Sequence, residues 1–342
     1  MAGLYLENRI FGDLLKYIQD EQITDINYNG QKLWVDHLTK GRYCVESFRG
    51  DRAFWNHFSI RLANLMNRPF NQYEPLLEAE TQDLRISIIH ESVTNTGRSV
   101  SIRKTPGVRR LDRRRMTESG YCSEELDIFM ANAVRAGFTV AAAGLPGAGK
   151  TEYLKALTAY IPPSKKVITV EDNLEIRYRT LNPQKDGIEI KVGDTFSYAQ
   201  AIKASMRQLP AWLILSEARS LEVEYLLESM STGISCMTTL HTDDVRKIPD
   251  RICSMMKKDV TNEVYSFLDI GVLIGCYEIP GEGIRRRIEQ AAIFERSQEK
   301  NTIQVFYEDG KMVRPALSET MLRKFSFAGI SEPFAEQKAD IG

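Results

Sequence analysis

The sequence predicts an α/β protein in two parts: a small mixed α/β domain, followed by a larger domain built on a mainly parallel sheet. The chain has 342 residues, which is enough for two domains, because one domain typically holds about 100 to 200 residues. The first hundred residues mix the periodicities of strands and helices, whereas the chain beyond residue 122 alternates short apolar runs with helical stretches. This change of pattern indicates where the domains divide.

The first predicted domain covers residues 1–104 and contains both helices and strands. Two segments carry apolar residues at helical spacing, "LLKYIQ" and "AFWNHFSIRLANLMN". Three others alternate apolar and polar residues as half-buried strands do, "KLWVDH", "LRISIIHE" and "SVSIRK". Alternation of this kind is typical of a sheet with one face in the core, so we expect an antiparallel sheet.

A basic linker is predicted over residues 105–121. The segment "TPGVRRLDRRRM" has a Pro-Gly pair and clustered arginines, which interrupt both helical and strand periodicity. Beyond it, residues 122–342 are predicted to form the second domain with a C-terminal extension. Its expected strands are the apolar parts of "FTVAAAG", "KVITVED", "WLILSEAR", "ISCMTTLH" and "LDIGVLIG". Continuously apolar strands between helices predict a parallel sheet that is covered on both faces.

Composition excludes several classes of protein. A net charge of −1 provides no general attraction to nucleic acid or anionic lipid. No run approaches the roughly 18 apolar residues that a membrane-spanning helix needs, and the N-terminal segment lacks the apolar stretch of a secretory peptide. Five scattered cysteines without a CxxC pair predict neither a zinc cluster nor a disulfide framework. We therefore expect a cytoplasmic protein with only peripheral contact to a membrane.

Residues 144–151, "GLPGAGKT", match the phosphate-binding pattern GxxxxGK[ST] between a predicted strand and a predicted helix. In such a loop the backbone N–H groups surround the phosphates, the lysine reaches the outer phosphates, and the threonine hydroxyl binds magnesium. The predicted cofactors are ATP and Mg²⁺. The predicted nucleotide-binding residues here are Gly144, Leu145, Pro146, Gly147, Ala148, Gly149, Lys150, Thr151 and Glu152.

Polar side chains follow three further strands, and ligands of α/β sheets bind beyond the carboxyl ends of the strands. Glu217 is placed to orient an attacking water or to hold the magnesium shell, although a strand-end glutamate can also be a solvated cap. Glu171 and Asp172 could supply a second carboxylate or simply form a turn. His241 could sense the γ-phosphate through its imidazole, or could be a satisfied capping histidine.

Four segments resemble, in order and at similar spacing, the signature boxes of the secretion traffic ATPases. That family powers type II and type IV secretion, type IV and tight-adherence pili, and the archaeal flagellum. The four segments are "GLPGAGKT", "ITVEDNLEI", "SMRQLPAWLILSEAR" and "STGISCMTTLHTDD". The resemblance covers most of residues 60–290 and implies a RecA-like P-loop NTPase domain after the N-terminal domain.

The resemblance also implies a role for each matching residue. Lys150 and Thr151 match the phosphate and magnesium ligands, Glu171 and Asp172 the acidic box, Glu217 the catalytic glutamate, Arg219 the arginine that follows it, and His241 the family histidine. Family members work as hexameric rings in which arginines of the N-terminal domain help to complete the nucleotide site. Arg85 and Arg103 match these arginines by position, and Arg98 matches them less well.

Two departures from the family pattern lie close to Glu217. Ser216 stands where the family usually has glycine, and Ala211 stands where aspartate is common. The chain also lacks the tetracysteine zinc module of long type II members, so it resembles the compact type IV secretion and tight-adherence branch. Inner-membrane secretion or pilus platform proteins are the partners that this branch implies.

Three functions remain open from the sequence. The first is an ATP-driven motor for secretion, conjugative transfer or pilus assembly. The second is a nucleotide-gated scaffold that assembles but hardly hydrolyses ATP, which the departures before Glu217 allow. The third is a nucleic-acid translocase that uses the basic stretch Arg109, Arg110, Arg113, Arg114 and Arg115. The third is disfavoured, because no aromatic residues for base stacking are interleaved with these arginines.

Overall fold

The computed structural model describes residues 10–220 and 222–337 and divides the chain into two compact units. The first unit contains the chain up to Pro106 together with Tyr277–Arg285. The second contains Gly107–Cys276 and the chain from Arg286 onward. Residues 1–9, on which the expectation of a missing secretory segment largely rests, lie outside the described residues.

The first unit is built on a six-stranded sheet with the strand order β3-β2-β1-β6-β5-β4. Its elements are β1 (Ile23–Tyr28), β2 (Leu33–His37), β3 (Gly41–Cys44), β4 (Leu76–Glu80), β5 (Leu84–Ile89), β6 (Ser99–Lys104), α1 (Leu15–Gln19) and α2 (Arg52–Met66). All neighbouring strands pair antiparallel, as the sequence predicts.

Helix α2 begins after Asp51, whose carboxylate accepts a hydrogen bond from the N–H of Phe54 and so caps the helix. Its buried side chains, among them Trp55, Phe58 and Leu62, share one core with alternate residues of the sheet. Only one face of the sheet is buried in this core, which explains the alternating pattern of its strands.

The second unit contains a nine-stranded sheet with helices on both of its faces. Its strands are β7 (Val140–Ala143), β8 (Val167–Glu171), β9 (Gly187–Lys191), β10 (Trp212–Leu215), β11 (Ser235–Leu240), β12 (Ile270–Ile279), β13 (Gly283–Ser297), β14 (Lys300–Glu308) and β15 (Lys311–Met312). Its helices are α3 (Arg113–Glu118), α4 (Glu124–Arg135), α5 (Lys150–Leu157), α6 (Tyr178–Leu181), α7 (Tyr198–Met206), α8 (Glu222–Ser231), α9 (Ile248–Ser254), α10 (Thr261–Phe267) and α11 (Glu319–Phe327).

Six strands form the parallel part of this sheet, in the order β12-β7-β11-β10-β8-β9. The remaining three strands extend the sheet beside β12 in the order β13, β14 and β15. β13 pairs antiparallel with β14, and β14 pairs antiparallel with β15. The structure confirms the mainly parallel sheet and its five predicted strands. The short apolar runs are explained by β10, where Trp212 and Ile214 enter one core and Leu213 and Leu215 enter the other.

The expected linker is mostly part of the second unit. From Gly107 onward the segment belongs to that unit, and it contains helix α3. Met116 is fully buried in the core that also contains α4 and α5. Met116 therefore fixes this segment to the core, although the arginines that precede it make the segment look like an exposed linker in the sequence. Among the described residues, no helix is both long and apolar enough to cross a bilayer.

Candidate nucleotide-binding site

The loop from Gly144 to Gly149 connects β7 to α5 at the carboxyl edge of the parallel strands. Gly144 and Gly149 have φ angles of +151° and +91°, which L side chains rarely adopt. A Cβ on Gly144 would also lie 2.5 Å from the carbonyl oxygen of Ile274. The glycines therefore let the backbone curl tightly ahead of a helix N-terminus, where N–H groups favour an anion.

Lys150 begins α5 and is almost completely buried, with 8% of the residue exposed. Its ammonium donates hydrogen bonds to the carbonyl oxygens of Gly144 at 2.9 Å and Leu145 at 3.2 Å. Burial lowers the pKa of Lys150 to about 8, against the opposing effect of the carboxylates of Glu217 and Glu175. The ammonium is thus held at the loop by carbonyl oxygens, which a phosphate group could replace as acceptor.

His241 follows β11 and connects Lys150 to Glu217. Its Nε2 lies 3.1 Å from Oε1 of Glu217, and its Nδ1 lies 3.2 Å from Nζ of Lys150 and 3.1 Å from the Gly144 carbonyl oxygen. A carboxylate only accepts hydrogen bonds, so Nε2 is the donor, and in the neutral ring Nδ1 accepts from Lys150. Nδ1 therefore lies within hydrogen-bond distance of both the Lys150 ammonium and the Gly144 carbonyl oxygen at the phosphate loop.

Glu217 lies two residues beyond the end of β10 and is bound on both carboxylate oxygens. Oε2 accepts a hydrogen bond from Arg219 at 2.6 Å, and the same guanidinium reaches Asp172 at 3.2 Å. Burial raises the pKa of Glu217, but Arg219, His241 and Lys150 together outweigh burial and bring it below its ordinary value. Glu217 is therefore an ionised carboxylate beside the phosphate loop.

Glu171 ends β8 and is completely buried. Its Oε1 accepts hydrogen bonds from the N–H groups of Glu175 and Ile176, each at 3.0 Å, while Oε2 has no hydrogen-bond partner among the described residues. Burial raises the pKa of Glu171 to about 8, although the two backbone N–H groups act against this rise. Through these contacts Glu171 holds the loop that follows β8, and its role as a second carboxylate of the site stays a prediction.

That loop brings forward Glu175, a candidate that the sequence analysis missed. The negative charge of Glu175 raises the pKa of Lys150, as the charge of Glu217 does. The signal in the sequence was the second glutamate of "EDNLE", four residues after Glu171. Glu171 then positions the backbone of Glu175 through its hydrogen bond.

The other predicted ligands of the loop are arranged as follows. In the described chain the hydroxyl of Thr151 makes no hydrogen bond, so its oxygen is available to a hard cation such as magnesium. Glu152 instead pairs with Lys155 at 2.9 Å and approaches Arg110 at 3.8 Å. Arg286, which was not predicted, donates a hydrogen bond from Nε to the carbonyl oxygen of Gly147 at 3.0 Å.

The arginines predicted to complete the site lie in the first unit and differ in their exposure and in their partners. Arg85 and Arg103 are exposed and face each other across β5 and β6. Arg103 binds Asp25 at 2.8 Å, whereas in the part of the chain that the structure describes the side chain of Arg85 has no hydrogen bond or ion pair. Arg98 is enclosed, because it binds Glu91 at 2.7 Å and the carbonyl oxygen of Trp55 at 3.2 Å.

The five arginines of the basic stretch after the first unit each contact another group of the chain. Arg109 donates to Asn182 at 2.9 Å and to nearby carbonyl oxygens, and Arg113 binds the buried Asp127 at 2.6 Å. The other three arginines each approach an acidic side chain: Arg110 with Glu152, Arg114 with Glu118 and Arg115 with Asp112. Arg110 and Arg113 leave only 20% and 26% of their side chains exposed, whereas Arg114 and Arg115 leave 83% and 62% exposed.

Comparison with known proteins connects this geometry to a family. The family described as Type II/IV secretion system protein matches residues 75–270, which is more than half of the chain. The chain belongs to this family. An uncharacterized protein of Bacillus anthracis is 24% identical over 347 residues, which cover 96% of this chain and 76% of that protein.

Two named relatives match a shorter region. The type IV secretion system protein PtlH of Bordetella pertussis is 28% identical over 180 residues, covering 47% of this chain and 52% of PtlH. The type IV secretion system protein VirB11 of Bartonella henselae is 26% identical over 179 residues, covering 47% of this chain and 49% of VirB11. The chain thus spans about half the length of these two relatives.

Solved structures share the fold. The ATPase DotB of Legionella pneumophila has a TM-score of 0.63 at 14% identity, covering 84% of this chain and 81% of DotB. The pilus retraction motor PilT with bound ADP has a TM-score of 0.60 at 16% identity, covering 86% of this chain and 84% of PilT. These likenesses confirm the predicted fold class, a small mixed α/β domain with a RecA-like P-loop domain.

Proposed function

We propose that this protein binds ATP with Mg²⁺ and hydrolyses it to drive type IV secretion, conjugative transfer or tight-adherence pilus assembly. The observation that carries the proposal is the chain of contacts from Lys150 through His241 to Glu217 beside the phosphate loop. More than sixty positions separate Lys150 from Glu217 along the sequence, and all three residues come together at one edge of the sheet. Such an edge is where α/β proteins bind ligands.

Each residue of the site has a proposed part. Loop N–H groups and Lys150 would bind the phosphates, and the Thr151 hydroxyl with Glu217 would hold magnesium, partly through water. Magnesium would supply charge neutralisation on the phosphate oxygens. Glu217, ionised by its neighbours, orients the attacking water, with Glu175 as a second carboxylate near Lys150. His241 senses the γ-phosphate by exchanging its hydrogen bonds between Lys150, Gly144 and the nucleotide.

Ring formation and partners complete the proposal. We propose a homo-oligomer, expected to be a hexameric ring, at the cytoplasmic face of a membrane beside secretion or pilus platform proteins. Arg85 and Arg103 would serve as arginine fingers, since both are exposed on facing strand positions and Arg85 faces the like charge of Arg103. The names of PtlH and VirB11 as type IV secretion system proteins support this assignment.

The test is magnesium-dependent phosphate release by the purified protein. Lys150→Ala should abolish release and weaken nucleotide binding by at least about 100-fold, because the charge that faces the phosphates is lost. Lys166→Ala is the control, since Lys166 precedes β8 at the opposite end of that strand and binds the carbonyl oxygen of Gln208. Absence of nucleotide binding by the wild-type protein would refute the proposal.

One observation favours a second candidate, the nucleotide-gated scaffold. Each oxygen of Glu217 already has a partner, Arg219 on one and His241 on the other, so about half of the acceptor sites of the carboxylate are taken before a water can bind. A scaffold would bind MgATP and assemble with negligible phosphate release. Arg219→Ala distinguishes the two, because it frees one oxygen and should increase slow release in a scaffold but not in a motor that already displaces this partner.

A further inference from the structure

The hairpin of β12 and β13 belongs to both units of the chain. Its strands lie in the sheet of the second unit, whereas Tyr277–Arg285, at its tip, cluster with the first unit. The chain therefore passes between the units at this hairpin as well as at Pro106. Arg286 is the first residue after the tip segment.

The tip is attached to the first unit through the backbone. The N–H of Ile284 donates to the carbonyl oxygen of Thr39 at 2.5 Å. Gly283 makes this close approach possible: a Cβ at this position would lie 1.9 Å from the same oxygen, and its φ is +90°. A residue with a side chain cannot occupy this position without moving the tip.

Arg286 contacts the phosphate loop within the second unit. Its Nε donates to the Gly147 carbonyl oxygen at 3.0 Å, and its Cδ would lie 3.5 Å from a Cβ built on Gly149. Two residues further on, the N–H of Ile288 donates to the carbonyl oxygen of Tyr121 at 2.7 Å. Arg286 is thus the midpoint of a short stretch that is anchored to the first unit at Ile284 and to the second at Ile288.

We propose that Arg286 is a positioning residue that couples the hairpin tip to the phosphate loop. A movement of the tip pulls on the backbone of Arg286 and changes the hydrogen bond to Gly147, and a nucleotide that reshapes the loop acts on the tip by the same route. Coupling of this kind requires a continuous physical connection, which the residues 284–286 provide. The proposal rests on nucleotide binding as the proposed function of the loop.

The first test replaces the arginine and measures two quantities. In the nucleotide-free protein, Arg286→Ala should increase hydrogen exchange of the amides in residues 145–150 by about tenfold, because a charge-assisted hydrogen bond to the loop is lost. It should weaken binding of ADP and of a non-hydrolysable ATP analogue by about tenfold as well. Arg286→Lys should give an intermediate effect, since an ammonium can still donate one hydrogen bond. Arg285→Ala is the control and should change neither quantity.

The second test displaces the tip with a matched pair of glycine variants. Gly283→Ala places a Cβ against Thr39, whereas Gly281→Ala has a similar φ of +81° and no atom within 4 Å of its new Cβ. We expect the exchange of the loop amides and the nucleotide affinity to change in Gly283→Ala and to stay at wild-type values in Gly281→Ala. Both variants share the strain of a positive φ, so their difference isolates the contact with Thr39.

The outcomes separate this proposal from the proposed function. If the wild-type protein binds no nucleotide, the proposed function fails, while hydrogen exchange of the loop still tests the coupling. If Arg286→Ala lowers the melting temperature but leaves loop exchange and nucleotide affinity unchanged, Arg286 merely stabilises the hairpin and the coupling is wrong. Equal effects of Gly283→Ala and Gly281→Ala would also overturn it.

Discussion

Glu171 and Glu217 follow two neighbouring parallel strands, yet their carboxylates are held in opposite ways. Glu171 is fully buried and accepts hydrogen bonds from two backbone N–H groups of its own loop. Glu217 is partly exposed, with 20% of its side chain accessible, and is bound by the side chains of Arg219 and His241. Their pKa values differ accordingly, because that of Glu171 is raised to about 8 and that of Glu217 is lowered.

The difference separates a carboxylate held by backbone groups from one held by side chains. Backbone N–H groups cannot leave Glu171 without unfolding the loop, so its contacts are fixed. Arginine and histidine side chains can turn away from Glu217 when a nucleotide or water replaces them. The position at a strand end therefore indicates where a carboxylate lies, whereas burial and the type of partner decide what it can do.

The sharpest test compares the same change at both positions. Glu217→Gln should reduce phosphate release by about 100- to 1,000-fold, because an amide cannot orient the attacking water as a carboxylate does. Glu171→Gln should keep release within about threefold of wild type, since the buried acid is already neutral near pH 7 and the amide oxygen can accept the same hydrogen bonds. Steady-state phosphate release measures both. Loss of activity in Glu171→Gln alone would reverse the assignment.

Removal of the Glu171 carboxyl group should lower the stability of the protein more than it lowers the rate of phosphate release. Glu171→Ala leaves the N–H groups of Glu175 and Ile176 without an acceptor and opens a cavity, so we expect the free energy of unfolding to fall by about 3 kcal/mol. Glu171→Gln, the control, should lose less than about 1 kcal/mol. Urea unfolding followed by circular dichroism measures the difference. Equal stability of the alanine and glutamine variants would show that these hydrogen bonds contribute nothing.

The pH dependence of stability is an independent test of the burial of Glu171. Burial raises its pKa from the ordinary 4.5 to about 8, so the folded protein binds this proton more tightly than the unfolded chain. Its stabilising contribution is therefore complete below about pH 4.5 and is lost as the pH rises toward 8. Relative to Glu171→Gln, which cannot titrate, the wild type should lose up to about 1.4 kcal/mol per pH unit in this window. Parallel unfolding curves at all pH values would contradict the raised pKa.

Much of the site was predictable because its residues obey a general rule of sheet topology. The carboxyl ends of parallel strands meet at one edge, so Lys150, Glu217 and His241 could be placed together from the sequence. The burial of Glu171 could not be predicted, since it depends on how the following loop folds back. Arg286 was missed for a related reason, because it approaches the phosphate loop from the hairpin of β12 and β13, whose antiparallel part no strand pattern indicated.

The fold, too, was predictable where the sequence is periodic and unpredictable where packing alone decides. Alternating and continuous apolar runs predicted an antiparallel sheet in the first unit and a parallel sheet in the second, because burial on one face or two determines these patterns. Met116 was hidden among arginines in the expected linker, and its complete burial brings that segment into the second unit. A single apolar anchor has no periodicity, so only the packed structure reveals it.

The contrast between fixed and exchangeable groups extends to the arginines of the first unit, where the expected effects are smallest. Arg98 has only 10% of its side chain exposed and is held by Glu91 and the Trp55 carbonyl, so Arg98→Ala should lower the free energy of unfolding by about 1 kcal/mol. Arg85→Ala should change it by less than about 0.5 kcal/mol, since Arg85 is exposed and faces the like charge of Arg103. Urea unfolding of the two variants measures both effects, and phosphate release should fall only in Arg85→Ala if Arg85 is an arginine finger. An equal loss of stability in both variants would mean that Arg85 is as fixed as Arg98 and is not available to a nucleotide.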